Sequence, residues 1–154
     1  MVARNRRRNP REIRTPRAAY YARKKDETEK LLDGLRKRSD VGVPIVVEGQ
    51  RDRDALRRLG VTGTILCLKA ARESRHQFLD KLDGFRDVIL MTDFDREGRE
   101  LRLWLYQELT RRGVKADDLP WRRIRSLART EMRSIEELPS FLAATDARAR
   151  GERP

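Results

Sequence analysis

The run Val88-Ile89-Leu90-Met91-Thr92-Asp93-Phe94-Asp95-Arg96-Glu97-Gly98 is a short apolar stretch that ends abruptly in three carboxylates at alternate positions. Flanked by the Asp83-Gly84 turn signal and by a helical pattern, it reads as a buried strand. A strand that stops near Thr92 leaves Asp93 and Asp95 on the tip loop, with Glu97 opening the next helix. Carboxylates at the C-terminal end of a strand in an open α/β sheet occupy the usual ligand position. Three of them together repel one another without a cation between them, so the segment predicts a divalent-metal site.

Working outward, Val43-Pro44-Ile45-Val46-Val47 reads as another buried strand, with Pro44 tolerated near its beginning. Its tip carries Glu48, and Gly49 permits a tight exit. Thr64–Leu68 forms a strand between the two, and a weaker fourth is expected over Trp121–Leu127, where three arginines interrupt the pattern. Helical spacing covers Arg51–Leu59, Arg75–Leu82 and Glu97–Arg112, the last with Leu101, Trp104, Leu105 and Leu109 inward and Gly113 as its stop. Strand and helix alternate at βαβ spacing, which predicts an α/β, Rossmann-like fold with a mostly parallel four-stranded sheet flanked by helices.

The expected organisation is a basic, disordered arm over residues 1–25, a helix over 26–40, the α/β domain over 41–130, and a helical segment with a frayed tail over 131–154. The arm holds ten Arg and Lys against the single acid Glu12. In the helix, Leu31, Leu32 and Leu35 make a narrow apolar stripe, acids gather at its start and bases at its end. In the last segment, Ser134 to Glu137 fits a capping box, and Pro139 breaks or restarts the helix.

If the first and third strands are neighbours, Glu48 faces Asp93, Asp95 and Glu97 across one crevice. Such a set holds Mg²⁺ through carboxylate oxygens and waters, leaving positions for phosphate oxygens. Taken singly, each acid could instead cap a helix or solvate a loop. Lys69, Arg72 and Arg75 lie just beyond the second strand and border the same crevice as phosphate contacts, with an ordinary solvated loop as the competing reading. Arg96 and Arg99 flank the acidic loop, and Arg51 and Arg53 follow Glu48; both pairs suit phosphate or counter-charge roles.

Composition narrows the partner. Of 37 basic residues 30 are Arg, and the net charge of +12 favours a polyanion, nucleic acid before an anionic membrane surface. In the arm, Arg6, Arg7 and Arg8 are expected to neutralise phosphates in a salt-dependent, sequence-independent way. Cys67 sits in an apolar run and reads as core, and His76 as surface or helix packing. One cysteine and one histidine exclude a disulfide or a Cys- or His-based zinc site within the chain. No apolar stretch reaches membrane-span or signal-peptide length, so a soluble, cytoplasmic protein is expected.

The pairing of Glu48-Gly49 with Asp93-x-Asp95-x-Glu97-Gly98 two units later resembles the Toprim domain. That domain is shared by topoisomerases, bacterial-type primases, certain nucleases and the ribosomal-RNA maturase ribonuclease M5. The likeness covers about residues 43–127, and the acidic loop is especially similar to that of type IA topoisomerases. There the residue between the aspartates is usually Pro; Phe94 stands here, an exchange expected to alter loop stiffness while leaving every ligand in place. The resemblance implies Mg²⁺ at Asp93 and Asp95, with Mn²⁺ as a substitute, and Glu97 as the third acidic position. It implies a general acid/base or metal-ligand role for Glu48. The chain has no room for a topoisomerase's tyrosine-bearing domain or a primase's accessory parts, so a stand-alone protein like ribonuclease M5 or the small archaeal Toprim proteins is expected. Its function would be that of a Mg²⁺-dependent nuclease on nucleic acid, RNA favoured over DNA. The alternatives are a non-catalytic binding module and a subunit completed by a protein partner.

Overall fold

A computed structural model describes residues 15–69 and 72–154. Arg6, Arg7 and Arg8 lie outside the described residues. Four strands, β1 (Ile45–Val47), β2 (Ile65–Cys67), β3 (Asp87–Leu90) and β4 (Lys115–Asp117), form one sheet in the order β2-β1-β3-β4. Every pairing is parallel, as the α/β reading requires. The helices are α1 (Pro16–Asp40), α2 (Gln50–Arg58), α3 (Arg75–Asp80), α4 (Arg96–Arg111), α5 (Leu119–Ala128) and α6 (Leu138–Ala149). A 3₁₀ turn, Ile135–Glu137, precedes α6.

Strand alternation divides the core. Ile45, Val47, Ile89 and Met91 point to one face, where they meet Leu32 and Leu35 of α1, Leu56 of α2, Trp121 and Ile124 of α5 and Phe141 of α6. Val46, Val88 and Leu90 point to the other, against Phe78 and Leu79 of α3 and Leu105 and Leu109 of α4. The chain lays β2 on one side of β1, then crosses back to place β3 on the other. The direction of winding therefore reverses between β1 and β3, and an open α/β sheet binds its ligands outside the strand ends at such a point.

Three expectations need correction. Residues 16–25 are not a disordered arm but the first turns of α1. Pro16 stands at the first helical position, Thr15 Oγ1 accepts from Ala18 N at 3.1 Å, and Ala18 and Ala22 are buried. The basic composition concealed a helix that packs along α6. Lys24 is buried there, its Nζ within about 6 Å of the Tyr20, Tyr21 and Phe141 ring centres and paired with Glu131 at 2.6 Å.

The expected fourth strand at Trp121–Leu127 is α5. Its buried residues Trp121, Ile124 and Ala128 recur at helical spacing, and Pro120 sits in the first turn. The true edge strand, Lys115–Asp117, buries only Ala116 and is defined by pairing with β3, Val88 opposite Ala116. The tail from Asp146 is not frayed: α6 continues to Ala149, Thr145 and Ala149 are buried, and Asp146 pairs with Lys25 at 2.5 Å. Cys67 is only partly buried at the margin of the core, and His76 is exposed.

Trp121 links this packing to the strand tips. Its indole N–H donates to the carbonyl of Thr92 at 2.7 Å, and its ring meets Phe94 edge-on at 5.4 Å. Replacing Trp121 by Phe should leave that buried carbonyl without its donor and lower the unfolding free energy by about 1–3 kcal/mol. Urea denaturation measures this; an unchanged midpoint would show that the bond contributes nothing.

Candidate functional site

The register of β1 on β3, Ile45 opposite Ile89 and Val46 opposite Leu90, carries both chains out of the sheet side by side. Glu48 and Asp93 emerge as neighbours. Glu48 is 5% exposed, and its Oε1 accepts from the backbone N–H of Asp93 at 3.0 Å. Gly98 makes this approach possible: a Cβ there would lie 2.1 Å from the Asp93 carbonyl oxygen and 2.8 Å from Glu48 Oε1. Thr92 closes the turn by donating its hydroxyl to the Gly98 carbonyl at 2.8 Å.

The other acids take different places. Asp95 is exposed and caps α4, Oδ1 accepting from Gly98 N at 2.7 Å. Glu97 is exposed on the first turn of α4. Lys69 bridges the two sides, with Nζ 3.2 Å from Glu48 Oε2 and 2.8 Å from Glu97 Oε1. Donating to Glu97, and then to Glu48, raises the Lys69 pKa, so its ammonium is a fixed charge at the crevice.

Sequence reasoning missed Asp52. It is buried, with Oδ2 accepting from Gly49 N and Oδ1 from Glu136 N, each at 3.0 Å. Burial first, and then the charges of Glu48 and Glu136, raise its pKa against the lowering effect of those two bonds. The signal was present: an acid at the third position of a helix entered through Gly reads as a reciprocal cap. The turn before α6 serves Asp93 similarly, Ile135 N donating to Asp93 Oδ1 at 3.0 Å. Phe94 N donates to the Arg133 carbonyl at 2.7 Å. The segment after α5 thus fastens both carboxylates from above.

These groups line a cavity of about 530 Å³ bounded by Glu48, Gly49, Arg51, Asp52, Lys69, Asp93, Ser134 and Glu136. A smaller one of about 100 Å³ brings Lys69, Arg75 and Glu97 together. Arg75 lays its guanidinium over the Trp104 ring at 4.9 Å, Arg96 pairs with Glu100 at 3.1 Å, and Arg53 lies 3.8 Å from Asp54. Arg72 and Arg99 are exposed.

Burial, followed by the charges of Asp52, Glu48 and Asp95, drives the Asp93 pKa up to about 7 despite the bond from Ile135. The crevice therefore lacks counter-charge of the kind a divalent cation supplies. Among the described residues no three acid, Cys or His side chains converge as a complete ligand set. Mg²⁺ does not need one: it keeps several waters and binds through one or two carboxylates plus substrate oxygens. The hard oxygen donors present fit that ion.

Residues 43–119 match the Toprim domain. A UPF0292 protein of Thermococcus sibiricus is 34% identical over 118 residues, covering 77% of this chain and 90% of its own. One from Methanocaldococcus jannaschii is 37% identical over 101 residues, covering 64% and 77% respectively. A solved structure of a protein from Aquifex aeolicus superposes with a TM-score of 0.62 at 24% identity, over 71% of this chain and 95% of that one, and shares the fold. No helix among the described residues is long and apolar enough to cross a membrane.

Two outcomes follow from the geometry. Gly98→Ala should destabilise the protein by about 1–3 kcal/mol, the cost of overpacking, measured by chemical denaturation. Because the Asp93 pKa of about 7 lies above the ordinary 3.8, the folded protein binds that proton more tightly than the unfolded chain. Its contribution is complete at pH values below the unfolded pKa and is lost as pH rises through the folded one. In chelator, the thermal midpoint should fall between pH 5 and 8, and Asp93→Asn should flatten that fall; equal slopes in both proteins would refute the assignment.

Proposed function

The chain belongs to the Toprim family, whose membership carries a metal-dependent, nucleic-acid-related function, and from that premise we propose a Mg²⁺-dependent nuclease acting on structured RNA. The observation that supports it most is the seating of buried Glu48 against Asp93 at the mouth of a cavity large enough for a phosphodiester. The choice of RNA over DNA rests on the likeness to the ribosomal-RNA maturase. The cytoplasm is the compartment this reading assigns.

In this reading Asp93 and Asp95 hold the ion, with Glu97 as the third acid and Glu48 close enough to share it. When bound, Mg²⁺ offsets charge developing on the phosphoryl oxygens and favours an in-line displacement. The chain's own groups supply the rest. Glu48 takes a proton from the attacking water or hydroxyl, or returns one to the leaving oxygen. Lys69, cationic and held between Glu48 and Glu97, meets a phosphate oxygen at the cavity edge. Arg51 lines the same cavity and can orient the backbone. The N–H groups of Ile135 and Glu136 hold Asp93 and Asp52 in position.

One observation favours a second reading, a non-catalytic module or a subunit completed by a protein partner. Asp95 is engaged as a helix cap and Glu97 in an ion pair, so the acids do not converge as they stand.

Purified protein incubated with labelled structured RNA, single-stranded RNA and DNA should cleave the first in Mg²⁺ or Mn²⁺ and not in chelator. Glu48→Gln and Asp93→Asn should each slow cleavage by about 10²-fold or more. Cleavage that persists in both variants refutes the site, while wild-type binding without cleavage favours the second reading.

A further inference from the structure

Away from the acidic crevice, α1 and α5 enclose a second concavity that shares none of its lining residues. It consists of two adjoining cavities of about 460 Å³ and 270 Å³, joined through Glu27, Ser126 and Leu127, which border both. Tyr20 and Arg23 lie at the end bordered by Arg129, and Lys30 and Leu31 at the end bordered by Arg123. The two helices therefore run antiparallel along it. On α1, Tyr20, Arg23, Glu27 and Lys30 recur at intervals of three and four, so one helix face supplies a continuous wall about 15 Å long.

The chemistry of the wall is uneven. Leu31 and Leu127 are half-buried and make an apolar floor, whereas Arg23, Lys30, Arg123 and Arg129 are exposed. Lys24 also borders the groove but is buried and, like its neighbours, already engaged: Lys24 and Arg148 by Glu131, Lys25 by Asp146, and Arg122 by Asp118. The four groove cations have no carboxylate within ion-pair distance among the described residues, and Glu27 is the single acid between them. Tyr20 is 40% exposed at one end, steadied edge-on by Tyr21 at 5.1 Å.

We infer that this groove binds a single strand of nucleic acid, its phosphates along the Arg and Lys rim and a base stacked on Tyr20. A cationic channel with an accessible aromatic ring is the arrangement by which single strands are held without sequence preference. The apolar floor suits base faces, which a duplex keeps inside its stack. The inference rests on the nucleic-acid reading above but not on catalysis: the groove would hold a single-stranded extension of a substrate whose scissile bond lies in the acidic crevice.

Fluorescence anisotropy of a labelled single-stranded oligouridylate, in chelator and with the full chain, tests it. The triple reversal Arg23→Glu, Lys30→Glu, Arg123→Glu should weaken binding at least about tenfold and lower the salt slope by about 2, at roughly 0.7 for each phosphate no longer neutralised. The same triple to Gln should weaken binding in the same direction, which guards against a misfolded variant; circular dichroism checks both. Tyr20→Ala should cost about fivefold, with a matching duplex of equal length unaffected by that change. Reversal at Arg58, Arg86 and Arg111, exposed cations outside the groove, should have at most a third of the groove effect. Equal weakening by the two triple reversals, or a duplex as sensitive as the single strand to Tyr20→Ala, would overturn the groove. Absent cleavage with the groove effects intact removes the nuclease reading alone; Mg²⁺-dependent cleavage with no groove effects removes the groove alone.

Discussion

The hydrogen bond from the Asp93 main chain to the buried carboxylate of Glu48 is the contact on which the rest of the site depends. It exists because β1 and β3 are paired in a single register and leave the sheet together. A shift of one residue would turn every side chain of a strand to the opposite face, exchanging the two halves of the core. Register is therefore secured by packing on both faces, and the site inherits that precision. Gly98 matters for the same reason, since its missing Cβ is the space that the Glu48 carboxylate and the Asp93 carbonyl occupy.

Around that contact the protein gathers negative charge faster than it neutralises it. Glu48 and Glu97 share Lys69, but Asp52 and Asp93 receive main-chain N–H donors and no ion pair among the described residues. Main-chain donors satisfy oxygens without cancelling charge, so burial, and then the neighbouring carboxylates, keep the Asp93 pKa high and the crevice receptive to a cation. Two of these three donors, the N–H groups of Ile135 and Glu136, come from the turn before α6, beyond the part of the chain that matches the Toprim domain. The C-terminal segment is thus part of the site's architecture. Its docking follows from α6 packing on α1 and from the pairing of buried Lys24 with Glu131.

Positive charge is distributed by a different logic. On the α4 side most arginines are matched locally: Arg112 by Asp80 and Asp83, Arg111 by Glu108, Arg96 by Glu100, and Arg102 by Asp118. Along α1 and α5 an unmatched set remains at the surface. Solvent screening makes exposed ion pairs weak contributors to stability, so fold stability alone gives little reason for either pattern. A polyanion distinguishes them, because an unmatched cation is available to phosphate and a matched one must first give up its carboxylate.

By itself the sequence determined the features that local chemistry controls. Short apolar runs marked three of the four strands, their tips carried Glu48 and Asp93, and alternation with helical spacing implied parallel pairing. Those signals survive because buried strands and amphipathic helices write their environment into residue type. Tertiary structure decided whatever depends on a neighbour distant in the chain. Lys115–Asp117 is a strand only because β3 pairs with it. The arginine-rich Trp121–Ala128 is a helix because Trp121, Ile124 and Ala128 find one core face together. Residues 16–25, basic enough to suggest disorder, are ordered by Ala18, Ala22 and a lysine whose head meets Glu131. Asp52 joined the crevice only when Gly49 and Glu136 supplied its donors, and Asp95 and Glu97 parted from Asp93 when a helix cap and Lys69 engaged them. Residue type records what each position needs; which distant group meets that need is settled only by packing.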